Sequence, residues 1–166
     1  MRLIVSLILL LGACQASFGQ LEVQEPKAKA FAKQVSKLSK TLTQKSMVTS
    51  IILGYKKFET TETTSFYNKA SESLFYVLLC KDSSTIHYQI PLQSVSPCSD
   101  ESASKPRPKW CVDMANQMPA YMVIYNKAGA MIYNQSYTKL TLPVGSIAVA
   151  RNLHKHSVRL VELRQQ

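Results

Sequence analysis

Ala120-Tyr121-Met122-Val123-Ile124-Tyr125, then Asn126-Lys127-Ala128-Gly129, then Ala130-Met131-Ile132-Tyr133, form two β-rich arms around a short polar turn. Gly129 can supply the positive φ that such a tight loop requires, so the stretch predicts a β-hairpin. Outward from it the same chemistry recurs. Thr49 to Lys57 and Leu74 to Cys80 are rich in strand formers, and Ile86, Tyr88 and Ile90 alternate with His87 and Gln89. That period of two marks a half-buried strand. Val144 to Ala150 and Ser157 to Leu163 predict a further hairpin, turning through Arg151 to His156. Strands succeed one another without intervening helical patterns, which predicts an antiparallel sheet rather than parallel crossovers. Phe66-Tyr67-Asn68-Lys69-Ala70 before Leu74 also echoes Ile124-Tyr125-Asn126-Lys127-Ala128 before Met131. Two hairpins with the same turn chemistry account for the echo.

One segment has the other period. Ala28, Phe31, Val35, Leu38 and Leu42 are spaced by threes and fours, one stripe of an α-helix, with Pro26 suited to its first turn. A helix is predicted from about 26 to 45. Lys27, Lys33, Lys37, Lys40 and Lys45 fall off the stripe. Between Pro26 and Phe58 there are eight lysines and no Asp or Glu, whereas residues 59–166 hold eleven basic and eight acidic residues. The basicity of a chain whose net charge is +10 is therefore local, and a local cationic face implies an anionic partner.

The chain opens with Met1-Arg2 and the apolar run Leu3 to Leu11, the layout of an export signal. Such a run is too short to cross a hydrocarbon layer of roughly 30 Å as a helix. Two processing routes follow from it. Residues 1–19 can be a cleaved signal peptide, giving a secreted, extracellular protein. Alternatively, Leu11-Gly12-Ala13-Cys14 resembles the lipobox of bacterial lipoproteins, in which a leader of residues 1–13 is removed and Cys14 is acylated. That route gives an outer-membrane or periplasmic lipoprotein. Residues 20–166 are the size of one ordinary domain with its own core.

Either route leaves Cys80, Cys98 and Cys111 in an oxidising compartment. Cys98 and Cys111 bracket a polar stretch with two prolines, and a bridge closing it is worth about 3 kcal/mol in the chain-entropy model. We expect Cys98–Cys111 as the disulfide and Cys80, at the end of an apolar run, as a buried free thiol.

The residues that could carry chemistry do not assemble into a site along the sequence. His154 and His156, two apart, would point the same way in an extended segment, with His87 as a conceivable third ligand, but zinc and copper need three or four donors. We therefore assign no metal and read this pair as part of a polar turn. A nuclease-like use of the three histidines rests on residue type alone. Serine never sits in a Gly-x-Ser-x-Gly elbow, and with five glycines the chain has no phosphate-cradling loop. Tyr121 and Tyr125 share a face of one arm of the hairpin, and Tyr133 and Tyr137 a face of the other; core packing and cross-strand pairing explain them most simply. Asn134-Gln135-Ser136 is a glycosylation sequon in a eukaryotic secretory route.

Together these observations predict a single α+β domain: an N-terminal basic amphipathic helix packed on an antiparallel sheet of hairpins. Its expected work is non-enzymatic, without cofactor: binding of an anionic membrane surface, glycan or acidic protein patch through Lys27, Lys33, Lys37, Lys40 and Lys45. The alternatives are a lipid-anchored structural component of a bacterial envelope assembly and, third, a secreted nuclease-like enzyme.

Overall fold

The computed structural model describes residues 26–43, 50–98, 108–114 and 118–166. The leader with Cys14, Lys45 and most of the Cys98–Cys111 loop lie outside the described residues. Helix α1 runs over residues 26–42, with Thr43 in a turn. Nine strands follow, β1 Ser50–Leu53, β2 Lys56–Asn68, β3 Ser73–Cys80, β4 Thr85–Pro91, β5 Val95–Pro97, β6 Lys109–Met114, β7 Ala120–Tyr125, β8 Met131–Tyr137 and β9 Lys139–Pro143, and then helix α2, Ile147–Gln165. A six-stranded sheet has the order β1-β2-β3-β4-β7-β8, and a three-stranded sheet the order β5-β6-β9. Every pairing is antiparallel.

The larger sheet is built by alternation. Leu74, Tyr76, Leu78 and Cys80 on β3, Ile86, Tyr88 and Ile90 on β4, and Ala120, Met122 and Ile124 on β7 are all buried. Register places Tyr76 opposite Tyr88 and Tyr88 opposite Met122, so these residues share one face. Phe75, Val77, Leu79, His87 and Tyr121 stand on the other face and remain half or fully exposed.

The turns follow from local side chains. Asn126 Oδ1 accepts hydrogen bonds from the amides of Ala128, 3.0 Å, and Ala130, 2.9 Å, while Gly129 takes φ +77°. Asn68 Oδ1 does the same for Ala70 at 2.9 Å and Ser71 at 3.3 Å between β2 and β3. Shared turn chemistry thus accounts for the echo between the two hairpins. Gly54 at φ +58° begins the two-residue turn between β1 and β2, where a first central glycine suits the strand twist.

From Gln34 onward α1 belongs to one compact unit with all that follows; through Lys33 its side chains are exposed or half-exposed. Val35, Leu38 and Leu42 are buried. Ser39 Oγ donates to the Ser65 carbonyl at 3.1 Å, and Ser65 pairs with Tyr76 of the buried face. The helix therefore lies on the covered side of the sheet, as the apolar stripe predicts.

The hairpin expected between Val144 and Leu163 is instead the helix α2. Ser146 caps it, accepting from the Val149 amide at 3.2 Å. Its buried residues, Val149, Ala150, Leu153, Ser157 and Leu160, step by one, three, four and three. That is a helical stripe, which the β-branched Ile147, Val149, Val158 and Val161 disguise as strand. The helix packs on β5 and β6. Trp110 of β6 donates from its indole nitrogen to Ser157 Oγ at 3.1 Å, and Ser157 donates onward to the Leu153 carbonyl at 2.9 Å. Arg164 reaches the carbonyls of Leu92, Gln93 and Val95, tying the end of α2 to the loop into β5.

Cys98 and Cys111 are joined, with sulfurs 2.10 Å apart. Cys80 is a buried free cysteine, its thiol pushed up by burial. No helix among the described residues is long and apolar enough to cross a membrane.

Leu38 is fully buried while Lys40, two residues on, is exposed. Leu38→Ala is expected to lower unfolding stability by about 3 kcal/mol in urea titrations, and Lys40→Ala by less than about 0.5 kcal/mol. Equal losses would refute the docking of α1 through its apolar stripe.

Candidate functional site

The sequence-expected lysines separate from the core as the helical stripe requires. Lys27, Lys33, Lys37 and Lys40 are exposed on α1, in a helix with no carboxylate, and Lys45 lies outside the described residues. The structure adds to Lys37 a neighbourhood that the sequence does not announce. Gln34 and Lys37 of α1 face Asn152, His154, Lys155 and Arg159 of α2 across a cleft of about 660 Å³. Lys155 and Arg159 are four apart on α2, hence on one helical face. The hairpin expectation hid them. The signal that could have found them is the helical spacing of Val149, Leu153, Ser157 and Leu160, which puts residues 152, 155 and 159 on the opposite side.

The floor of the cleft is a specific contact. Gln34 Nε2 donates to His156 Nδ1 at 2.8 Å and to the His156 carbonyl at 3.3 Å. An Nδ1 that accepts cannot also hold a proton, so this geometry favours the neutral ring with hydrogen on Nε2. Burial, then the charges of Lys37 and Lys155, push the His156 pKa below its ordinary value. Arg159 is partly neutralised by Glu162 at 2.6 Å. Glu162 also lines the cleft, so its net positive charge comes from Lys37 and Lys155, set above a neutral histidine.

The other candidates fall elsewhere. His154 and His156 are on a helix, so their side chains diverge by about 200° instead of pointing the same way. His87 sits on β4, bonded to Thr85 Oγ1 at 2.9 Å and edge-on to the Tyr125 ring at 5.0 Å. No three potential metal-ligating side chains gather among the described residues. Tyr121 and Tyr125 share the uncovered face, Tyr121 with 41% of its surface exposed, which a core role does not explain. Tyr133 and Tyr137, opposite Ile124 and Ala120, face the other way, and both hydroxyls donate to Gln135 Oε1. Burial and the neighbouring Tyr133 push Tyr137 up to about 12. Asn134 is exposed on β8, directly opposite Val123.

Comparison with protein-family models, with curated proteins and with solved structures finds no match to this chain. The functional argument therefore rests on the geometry of these residues.

A depressed histidine pKa has a definite consequence for stability. His156 and His87 both lie below the ordinary 6.5, so the unfolded chain takes up protons first. Their contribution is complete above that value and is lost as pH falls through it toward the folded pKa values. Stability in urea is expected to decrease between about pH 7.5 and pH 5, and His156→Asn to make that decrease shallower. An unchanged slope in the variant would show that His156 does not titrate on unfolding.

Proposed function

We propose that this is an exported, non-enzymatic binding protein whose cationic α1 face meets a polyanionic surface: acidic phospholipid headgroups, anionic glycan or an acidic protein patch. The observation that carries the proposal is the charge layout of α1. Its buried stripe leaves Lys27, Lys33, Lys37 and Lys40 exposed with no acidic residue in the helix, and Lys37 meets Lys155 and Arg159 across one cleft. On and beside the strands, several cations are neutralised locally. Lys57 and Lys81 flank Glu59 at 3.1 and 2.6 Å, Lys56 meets Asp82 at 3.4 Å, and Lys139 lies 4.0 Å from Asp113. The Lys81 and Lys57 ammonium groups pull the Glu59 carboxyl down to about 2. Attraction to a polyanion operates over roughly a Debye length, about 8 Å at physiological salt, and weakens as salt rises.

Replacing Lys27, Lys33, Lys37, Lys40 and Lys45 together by Glu is expected to lower affinity for heparin or for phosphatidylserine vesicles at least about tenfold, with wild-type binding falling steadily with salt. Undiminished binding by the variant would refute the assignment.

The Leu11-Gly12-Ala13-Cys14 tetrapeptide supports the second reading, a lipid-anchored component of a bacterial envelope assembly. Intact-mass and N-terminal peptide spectrometry of the protein from its native source separates the two. Secretion predicts a chain beginning near Ser17 or Gln20 without acyl chains, and sugar on Asn134 would add a eukaryotic route. Acyl groups on Cys14 would establish the anchored form instead.

A further inference from the structure

A second groove lies away from the α1–α2 cleft and shares no residue with it. It has a volume of about 810 Å³, bounded by β1 on one side and by β6 and β9 on the other. Cavities that take a small organic ligand measure roughly 300–1,000 Å³. Its floor is apolar: Ile51, Met122, Leu140 and Val144 line it, and each has less than a tenth of its surface exposed. Its charged lining is cationic, beside the hydroxyls of Ser50, Tyr88, Tyr137 and Thr141. Lys57, Lys109 and Lys139 contribute to the wall, and no Asp or Glu does. Lys57 and Lys139 each touch a carboxylate outside the groove, Glu59 at 3.1 Å and Asp113 at 4.0 Å, and these exposed pairs leave donors for a further anion.

The two halves of this lining select one class of occupant. A polyanion finds charge at the wall but cannot use the buried floor. A neutral lipophile uses the floor and leaves three ammonium groups unmatched. A single alkyl chain ending in one compact anion uses both, burying methylenes at about 0.8 kcal/mol each while its head stays among the lysines. We propose that the groove between β1 and the β6–β9 pair is a binding site for a fatty carboxylate, with the chain along Ile51, Met122, Leu140 and Val144 and the carboxylate at the Lys57, Lys109 and Lys139 wall. This goes beyond the α1 reading and stands or falls separately from it.

The groove lies between edges of the two sheets: β1 is an edge of the larger sheet and β9 an edge of the smaller. Met122 of the larger sheet and Leu140 of the smaller, both buried, line it together.

The test is isothermal titration of the full-length protein with oleate below its micelle concentration, beside oleyl alcohol. One saturating oleate per chain is expected, with the alcohol at least about tenfold weaker because it lacks the charge that the lysines match. The surface variant K57E/K109E/K139E should lower oleate affinity at least about tenfold. Variant K69E/K127E/R151E makes the same change in net charge away from the groove and should leave oleate affinity unaltered. Uptake without saturation, equal affinity for the alcohol, or equal losses in the two triple variants would each overturn the proposal, the last by reducing it to nonspecific charge attraction. The substituted residues are all exposed, and matching thermal midpoints of the variants would show that their folds are intact.

Discussion

The buried face of the six-stranded sheet is the constraint from which the other parts follow. Three adjacent strands, β3, β4 and β7, send large side chains to one side at every second position, and register keeps them aligned as Leu78, Ile86 and Ile124 or Tyr76, Tyr88 and Met122. A slip of one residue in any of these strands would put its whole apolar set into water. The face has to be covered, and the chain between Gln34 and Leu42 covers it with Val35, Leu38 and Leu42. A helix that gives one stripe to a sheet must give its other face to solvent. The lysines of α1 are exposed because of what lies on the opposite side of the helix.

A second set of contacts fixes the far end of the molecule. The smaller sheet alone, with β5 only three residues long, has little surface to bury. It gains a partner in α2, through the Trp110–Ser157 hydrogen bond and the Arg164 contacts to the loop before β5, and the Cys98–Cys111 bridge joins β6 to the residue just after β5. Ser157 explains a polar side chain at zero exposure: it accepts from the indole and donates to Leu153 in one chain of bonds. With α2 committed to β5 and β6, the space between β1 and β9 is left without a covering helix among the described residues.

Much of this architecture was legible in the sequence wherever one period dominated. The alternation of Ile86, Tyr88 and Ile90 and the turn at Asn126–Gly129 locate strands and hairpin without ambiguity, and the stripe Val35, Leu38, Leu42 locates the helix. The Cys98–Cys111 pairing followed from the polar loop that it closes. The C-terminal segment was misread because two signals overlap there: β-branched residues raise strand propensity, while the spacing of Val149, Leu153, Ser157 and Leu160 is helical. Packing on β5 and β6 and the Ser146 cap decide for the helix, in line with the weakness of propensity against tertiary contact. The misreading carried over to the candidate site. It hid Lys155 and Arg159 beside Lys37 and gave His154 and His156 a common direction they lack. The apolar groove was not legible, because its floor is assembled from β1, β7 and β9, and strand periodicity says nothing of which strands from two sheets meet around one groove.

The distribution of acidic residues explains why two cationic surfaces persist in a chain with ten carboxylates. Glu59, Asp82 and Asp113 sit in or beside strands and hold the lysines that neighbouring strands bring within 4 Å. Cross-strand and near-strand geometry supplies such partners at short range. Helix α1 holds no Asp or Glu in its own sequence and the sheet face beneath it is apolar, so Lys33, Lys37 and Lys40 stay on its exposed side. At the groove Lys57 of β2 and Lys139 of β9 keep one side toward strand carboxylates and the other toward an acid-free wall, which Lys109 of β6 also lines. In the two proposed sites the same residue type would work in two settings: on α1 by charge alone, in a form that salt screens, and beside the groove together with buried apolar surface, whose contribution salt leaves largely intact.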